Sequence, residues 1–189
     1  MRFSTAFLCM ALAGCSSQQV VLQPQIVATT PYANANGQLV TIAVRDERPS
    51  ERIGMRGASV RLGDITAAGD VKATLGTAVS AALEHRGFRV EQSTPLAAPL
   101  VVDLRNLNFS EHMGVWTGKR IAEAAVNARV MHNGAIVFEK LYRGSNVSHG
   151  MTVGSAHGNA GLINVALTVA LQQLTADPEL MVALSSVPR

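Results

Sequence analysis

Cys15 is the residue whose type and position point most clearly to chemistry. It follows two small residues, Ala13 and Gly14, which let a peptide enter a processing site. Further upstream lie the positive charge of Arg2 and a short apolar run over residues 3–12. This order is typical of a bacterial lipoprotein signal, in which the thiol of Cys15 takes a diacylglycerol before cleavage frees its amine for a further acyl chain.

The apolar run before Cys15 is too short for a transmembrane anchor, since spanning a bilayer takes about 20 residues. We therefore expect residues 1–14 to be removed as a signal peptide and the membrane to hold the chain through lipid on Cys15. Ser16 stands where an aspartate would commonly signal retention in the inner membrane. The expected location is thus the outer membrane of a Gram-negative envelope, with the domain facing the periplasm.

The other cysteine and the histidines predict no metal or cofactor site. Cys9 would leave with the signal peptide, so the mature chain would have no thiol for a disulfide, a nucleophile or a metal. His149 and His157 stand eight residues apart, which is not a metal-ligand spacing. We expect no metal and no cofactor.

Two patterns that resemble catalytic motifs fail on spacing. Ser110, His112 and Asp103 are close in sequence, but in a regular strand Asp103 faces away from the other two unless a bulge intervenes. Residues 114–120 resemble a phosphate-binding loop, but they have one residue too few between the glycines and arginine in place of the magnesium ligand. A turn with Trp116 at its tip accounts for them, so we expect no catalytic residues and no enzyme activity.

A first candidate binding segment is the arginine-rich loop over residues 46–69. Its residues Arg48, Arg52 and Arg56 form a candidate recognition loop, because loops on rigid scaffolds carry much of the binding in proteins. A solvated loop with weak ion pairs explains the same residues.

A second candidate is the glycine-rich segment 150–161, which precedes a densely apolar run. Backbone amides at a helix N-terminus attract anions, so Gly158 and Asn159 form a candidate anion site. Flexibility of the chain at the helix entrance is the alternative explanation.

Composition and charge are those of one folded domain. Of 189 residues, 48% are hydrophobic and 15% are charged, which is enough for a core and excludes a disordered chain. The net charge of +3 is too small to indicate a nucleic-acid surface, which needs clustering as well as sign, so we expect no nucleic-acid partner.

Alternation of apolar and polar residues predicts the strands, which are expected over residues 39–45, 88–92, 100–109, 124–131 and 136–138. The alternation slips near Arg105 and Asn106, which indicates a bulge in one long strand. Asn133 and Gly134 separate two strand patterns, and this pair predicts a tight β-hairpin.

Helical spacing predicts a helix that begins at the N-cap Asp70 and ends at Gly87. A second, largely buried helix is expected over residues 162–174. Along it a narrow polar stripe recurs every fourth residue, at Asn164, Thr168 and Gln172. Asp177 is expected to cap a final short helix.

Together these elements predict an α+β fold, with an antiparallel sheet and helices packed on one of its faces. The expected order is strand, helix, strand, strand, strand, helix. Residues 15–37 are polar and are expected to form the lipidated N-terminus and a tether, with a candidate edge strand over residues 20–27. A single periplasmic domain is expected over residues 38–189.

Several segments together resemble one family. They are the signal at residues 12–15, the Asp-Glu-Arg run at residues 46–48 with its continuation at 53–57, the helix end at residues 82–88, and residues 177–184. On these segments the chain resembles the YajG-like family of bacterial lipoproteins over nearly all of its mature length. The resemblance implies a periplasmic lipoprotein of the outer membrane, and it carries over no catalytic or binding residue.

The leading hypothesis for function is a non-enzymatic binding or assembly module, held at the membrane by its N-terminal lipid. Its partner would be an envelope protein or a cell-wall component. The alternative is a binder of a small ligand or cell-wall fragment that uses segment 150–161. A hydrolase acting on the cell wall is the third and least favoured class.

Overall fold

The computed structural model describes residues 17–27, 30–57, 62–94, 98–114, 117–150 and 155–186. In these ranges the chain forms eight strands: β1 Gln18–Val21, β2 Leu39–Asp46, β3 Arg52–Arg56, β4 Gly63–Ala68, β5 Arg89–Gln92, β6 Leu100–Met113, β7 Gly118–His132 and β8 Ala135–Gly150. It also forms three helices: α1 Val71–His85, α2 Ala156–Ala176 and α3 Pro178–Ser186. The predicted signal peptide, Cys15 and the turn tip at Trp116 lie outside the described residues.

Strand β6 is the centre of the sheet. One of its edges pairs antiparallel with β7 over its whole length, and β7 pairs antiparallel with β8. The other edge is shared, since β2 pairs parallel with the first half of β6 and β3 meets the second half where Gly54 lies opposite Phe109. Strand β5 extends the sheet beyond β2, and β4 and then β1 extend it beyond β3.

The α+β class is confirmed, but the prediction of an antiparallel sheet and the predicted element order are wrong. The sheet is mixed: β2 lies parallel to both β5 and β6, and β1 lies parallel to β4. Parallel pairing requires a crossover, which α1 supplies by carrying the chain from β4 to β5. Strands β3 and β4 lie within what was expected to be a loop, because their short runs contain glycine and arginine and lack a clear alternation.

Signals that depend on near neighbours are confirmed. Asn133 and Gly134 both have positive φ, 51° and 79°, as the tight hairpin turn between β7 and β8 requires. The pairing of β6 with β7 shifts between Leu104 and Asn106, so the bulge lies at Arg105 as expected. At the start of α1, the side chain of Asp70 accepts hydrogen bonds from the backbone of the first turn.

The main core lies between the sheet and two helices. Helix α1 packs on β2 and β5, while α2 packs on β6, β7 and β8. Gly144 of β8 permits a direct backbone contact, because a Cβ built there would lie 2.0 Å from the carbonyl oxygen of Ala166. The largest fully buried side chains of this core include Ile42, Leu100, Leu104, Ile163, Leu167 and Leu171.

The polar stripe of α2 binds the N-terminal segment, defined here as residues 18–27. The backbone N–H groups of Gln23, Gln25 and Val27 donate in turn to the side chains of Asn164, Thr168 and Gln172, at 2.6, 2.9 and 2.7 Å. Four residues of helix rise about 6 Å, and two residues of extended chain rise about 6.6 Å, so the two repeats match. The fold therefore includes residues 18–27, which the sequence assigned to the tether.

Candidate functional site

An ion pair between Arg48 and Asp46 stabilises the turn that follows β2. The Arg48 guanidinium donates from Nε to Oδ1 at 2.8 Å and from Nη2 to Oδ2 at 2.7 Å. This hydrogen-bonded guanidinium lowers the pKa of Asp46 below its usual value. The side chain of Arg48 is only 4% exposed, so its first role is to hold the turn.

A cleft of about 480 Å³ opens beside this turn, where β2 has left β6 and β3 has just joined it. Gly54 makes this junction possible, since a Cβ there would lie 2.2 Å from the carbonyl oxygen of Phe109. The polar lining of the cleft includes Arg48, Arg52, Asn106, Asn108, Ser110 and His112. Glu111 also lines it, and its carboxylate accepts the N–H of Gly57 at 3.0 Å. Guanidinium, amide and hydroxyl groups over an apolar floor suit a ligand with an anionic group.

The structure brings two of the three predicted recognition arginines to this cleft. Arg48 and Arg52 line it, whereas Arg56 is not among the lining residues and lies at the far end of β3. Arg52 is the more available cation, because its side chain is about half exposed and its ion pair with Asp64 is long, at 3.8 Å. Their role in recognition stays a prediction.

Asp103 is the centre of a charge network that the sequence did not indicate. Its carboxylate is fully buried and accepts hydrogen bonds from Arg45 at 2.6 Å and from Arg129 at 2.9 Å. The hydrogen bond to Asp103 raises the pKa of Arg45. Glu47 joins the network through Arg45 at 2.7 Å and Arg105 at 2.5 Å. These groups come from different strands, so only their pairing in the sheet reveals the network.

The structure does not assemble Asp103, Ser110 and His112 into a nucleophilic site. The bulge at Arg105 places all three on the same face of β6, as the alternation of buried residues on either side of the bulge shows. Asp103 is nevertheless seven residues from Ser110 along the strand, which is about 23 Å. Its carboxylate is occupied by arginines instead.

The predicted anion site lies in the first turn of α2. Ser155 caps this helix, and its hydroxyl accepts the N–H of Gly158 at 3.0 Å. Asn159 is fully buried, and neither the oxygen nor the nitrogen of its side-chain amide has a hydrogen-bond partner among the described residues. Arg120 of β7 lies beside the turn, 3.4 Å from where a Cβ of Gly158 would be, and donates to Ser148 at 3.0 Å. No sequence pattern indicated that Arg120 would lie at this site.

Strand β8 is an edge of the sheet over all of its 16 residues. It pairs with β7 on one side, and in the described parts of the chain no strand pairs with its other side. Val137 and Leu141 on this strand are exposed. Beside its first residues lies an apolar groove of about 460 Å³, formed with α3 by Phe138, Pro178, Val182 and Ala183 among others.

The junction of α2 and α3 holds a buried polar cluster next to β8. Tyr142 donates to Asp177 at 2.8 Å, and the Lys140 ammonium contacts the same carboxylate at 2.7 Å. Burial, followed by the hydrogen bond to Asp177, raises the pKa of Tyr142. Burial alone would raise the pKa of Asp177, but the hydrogen bonds from Lys140 and Tyr142 outweigh it and the pKa is lowered. Asp177 also accepts the N–H of Glu179 at 2.8 Å, which confirms it as the cap of α3.

None of the helices within the described ranges is long and apolar enough to cross a membrane. In the same ranges, no group of three or more potential metal ligands is close enough to hold an ion.

The fold has relatives among solved structures. A protein of the DUF330 family from Xanthomonas campestris is 16% identical, with a TM-score of 0.58 over 83% of this chain and 91% of that one. A Helicobacter pylori homologue of a neuraminyllactose-binding hemagglutinin is 14% identical, with a TM-score of 0.52 over 88% of this chain and 98% of that one. At these identities the likeness shows a shared fold. The comparison with curated proteins gave no match.

Residues 24–185 match a family model described as an uncharacterized lipoprotein. The match spans both layers of the fold, from the N-terminal segment to the end of α3. The protein is therefore a lipoprotein. It belongs to the YajG family, as the sequence resemblance indicated.

Proposed function

We propose that a lipid on Cys15 anchors this lipoprotein to the periplasmic face of the outer membrane, and that its domain is a non-enzymatic binding or assembly module. Family membership supports a lipoprotein, and the residue types around Cys15 support the place of acylation. Several acyl chains, at about 0.8 kcal/mol per buried methylene, would make the attachment effectively permanent.

The observation that carries the binding role is the unpaired edge of β8. A strand edge of this length exposes a row of backbone donors and acceptors, which readily pair with another extended chain. The apolar groove at its start can take a side chain of that partner. An envelope protein that adds a strand to β8 is therefore the partner that this surface fits.

A photo-crosslinking amino acid at Val137 tests this role in intact cells. The same amino acid at Val165, an exposed position on α2, is the matched control. We expect a specific crosslinked partner from position 137, identifiable by mass spectrometry, and none of that mass from position 165. Leu141→Lys, which puts a charge on the exposed edge, should abolish the crosslink. Equal capture from both positions, or capture unaffected by Leu141→Lys, would argue against strand addition.

A second candidate function is the binding of an anionic cell-wall fragment at the start of α2. It is favoured by the position of Arg120 beside Gly158, together with the buried amide of Asn159, which has no hydrogen-bond partner within the described ranges. Titration with soluble muropeptides, followed by amide chemical shifts, tests it. Saturable shifts confined to the first turn of α2 and lost in Arg120→Gln would support it, and shifts that persist in Arg120→Gln would not.

A further inference from the structure

One end of the domain lies next to Gln18, the first residue of β1, and therefore nearest to Cys15. We call it the anchor end. The strand register places at this end the start of β1, the end of β3, the start of β4, the end of β6, the start of β7 and the end of β8. Gln18 ties α2 to the same end, because its side-chain amide donates to the carbonyl of Ala156 at 2.8 Å.

The distance from the anchor end to the lipid is short. Gln18 is already paired with β4 and lies three steps along the chain from Cys15, with Ser16 and Ser17 between them. Three extended residues reach at most about 11 Å. The backbone N–H groups of Gln23, Gln25 and Val27 donate hydrogen bonds to α2, and these bonds must break before the N-terminal segment can lengthen this connection. A lipid on Cys15 therefore holds the anchor end close to the bilayer, whereas a free tether would not.

The side chains at the anchor end suit a phospholipid surface. Met55, Leu62 and Met113 are exposed apolar residues there. Lys119 is exposed beside them, and neither it nor Arg120 forms an ion pair with a carboxylate of the described chain. Of the nearby acidic groups, Glu111 is buried and accepts the N–H of Gly57, and Asp64 faces Arg52. Binding at the surface of an anionic bilayer uses cations together with exposed apolar side chains.

We propose that the anchor end rests on the bilayer surface, with Met113 and Lys119 among the phospholipid headgroups. This inference depends on the proposed anchoring at Cys15. It sets the orientation of the domain, because the β7–β8 hairpin tip then points away from the membrane. Strand β7 has 15 residues, so that tip lies at most about 50 Å from the bilayer surface.

The test uses the acylated protein, purified from membranes and returned to vesicles of phosphatidylethanolamine and phosphatidylglycerol. Single cysteines at Met113→Cys and, as the far-end control, Asn133→Cys carry a nitroxide, because the native cysteine is then occupied by lipid. The vesicles also contain a lipid whose headgroup chelates Ni²⁺, and this ion speeds the electron-spin relaxation of a nitroxide that lies at the bilayer surface. We expect several-fold greater relaxation at position 113 than at position 133.

Charge reversal then tests the role of the cation. Lys119→Glu should lower the relaxation at position 113, while Arg89→Glu, an equal change at the exposed far end, should leave it unchanged. Equal and low relaxation at both labels on vesicle-bound protein would overturn the orientation and leave the anchoring intact. Protein that does not float with the vesicles and lacks acyl groups by mass spectrometry would overturn the anchoring, and the orientation with it.

Discussion

The side-chain amide of Gln172 binds both the backbone N–H and the backbone carbonyl of Val27. Its Oε1 accepts the Val27 N–H at 2.7 Å, and its Nε2 donates to the Val27 carbonyl at 3.2 Å, so a helix side chain pairs with the backbone as a neighbouring strand would. Asn164 acts in the same way on Val21 and Gln23. The N-terminal segment is thereby built into the fold through side chains that otherwise face water.

Gln172→Ala should lower the free energy of unfolding by about 1–2 kcal/mol, since two hydrogen bonds of about 0.5–1.5 kcal/mol each are lost and the site is partly exposed. Gln173→Ala is the matched control, because Gln173 is exposed and makes no such pair of hydrogen bonds with the described part of the chain. Urea unfolding measures both. Hydrogen exchange at the Val27 amide should accelerate in Gln172→Ala alone, and unchanged exchange there would contradict the pairing.

Gly144→Ala should cost roughly 3 kcal/mol or more, because the new methyl group would meet the backbone of α2 at 2.0 Å and the helix must move. Gly161→Ala offers a control within α2. A Cβ at Gly161 meets nothing within 4 Å, so the change should stabilise the helix by about 0.5–1 kcal/mol. Thermal unfolding midpoints that move in the same direction for both variants would disagree with this packing.

Gly134→Val should destabilise the protein by about 1–3 kcal/mol, because a β-branched residue is strained at φ 79°. Asn133→Ala should cost less, since φ 51° lies in the left-handed region that other residues reach at a smaller penalty. Denaturant midpoints decide the order. Equal, negligible effects would be inconsistent with a tight turn.

Asp177→Asn should lower the free energy of unfolding near neutral pH. It should also make that free energy fall less steeply as the pH is lowered. The folded state lowers the pKa of Asp177 below the ordinary value of 3.8, so its carboxylate contributes stability above that pH. This contribution is lost as the pH falls through the folded-state pKa. Removing one partner of such a buried group costs about 1–3 kcal/mol.

Glu179→Gln is the control for this cluster, because Glu179 contacts the same Lys140 from an exposed position. It should change the acid limb of the stability curve little. Urea unfolding between pH 2 and pH 7 measures both variants, and an acid limb unchanged in Asp177→Asn would count against the assignment.

Cys15→Ser should leave a full-length precursor without acyl groups, because no other retained residue can take the lipid. Mass spectrometry of the wild-type protein should find the acylated N-terminal peptide beginning at Cys15. An unmodified N-terminus at another residue would refute the proposed anchor.

Features that depend on adjacent residues were predictable from the sequence. The Asn133-Gly134 turn, the Asp70 and Asp177 caps and the bulge at Arg105 all arise from the conformational preferences of a few neighbouring residues. The sequence segments that resemble the YajG family also predicted the family correctly. Of the candidate site, the sequence named Arg48 and Arg52, which line the cleft, and the first turn of α2, where Gly158 and Asn159 lie.

Features that depend on distant pairing were decided only by the tertiary structure. Strand β2 pairs parallel with β6, and Asp103 of β6 binds arginines of β2 and β7. These contacts join separate strands, so the spacing of residues within one strand does not predict them. The polar stripe of α2 shows the limit most directly. Its period of four is visible in the sequence, but its partner is a backbone more than 140 positions away along the chain. Backbone N–H groups are alike at almost every residue, so only the path of the chain determines which of them the stripe binds.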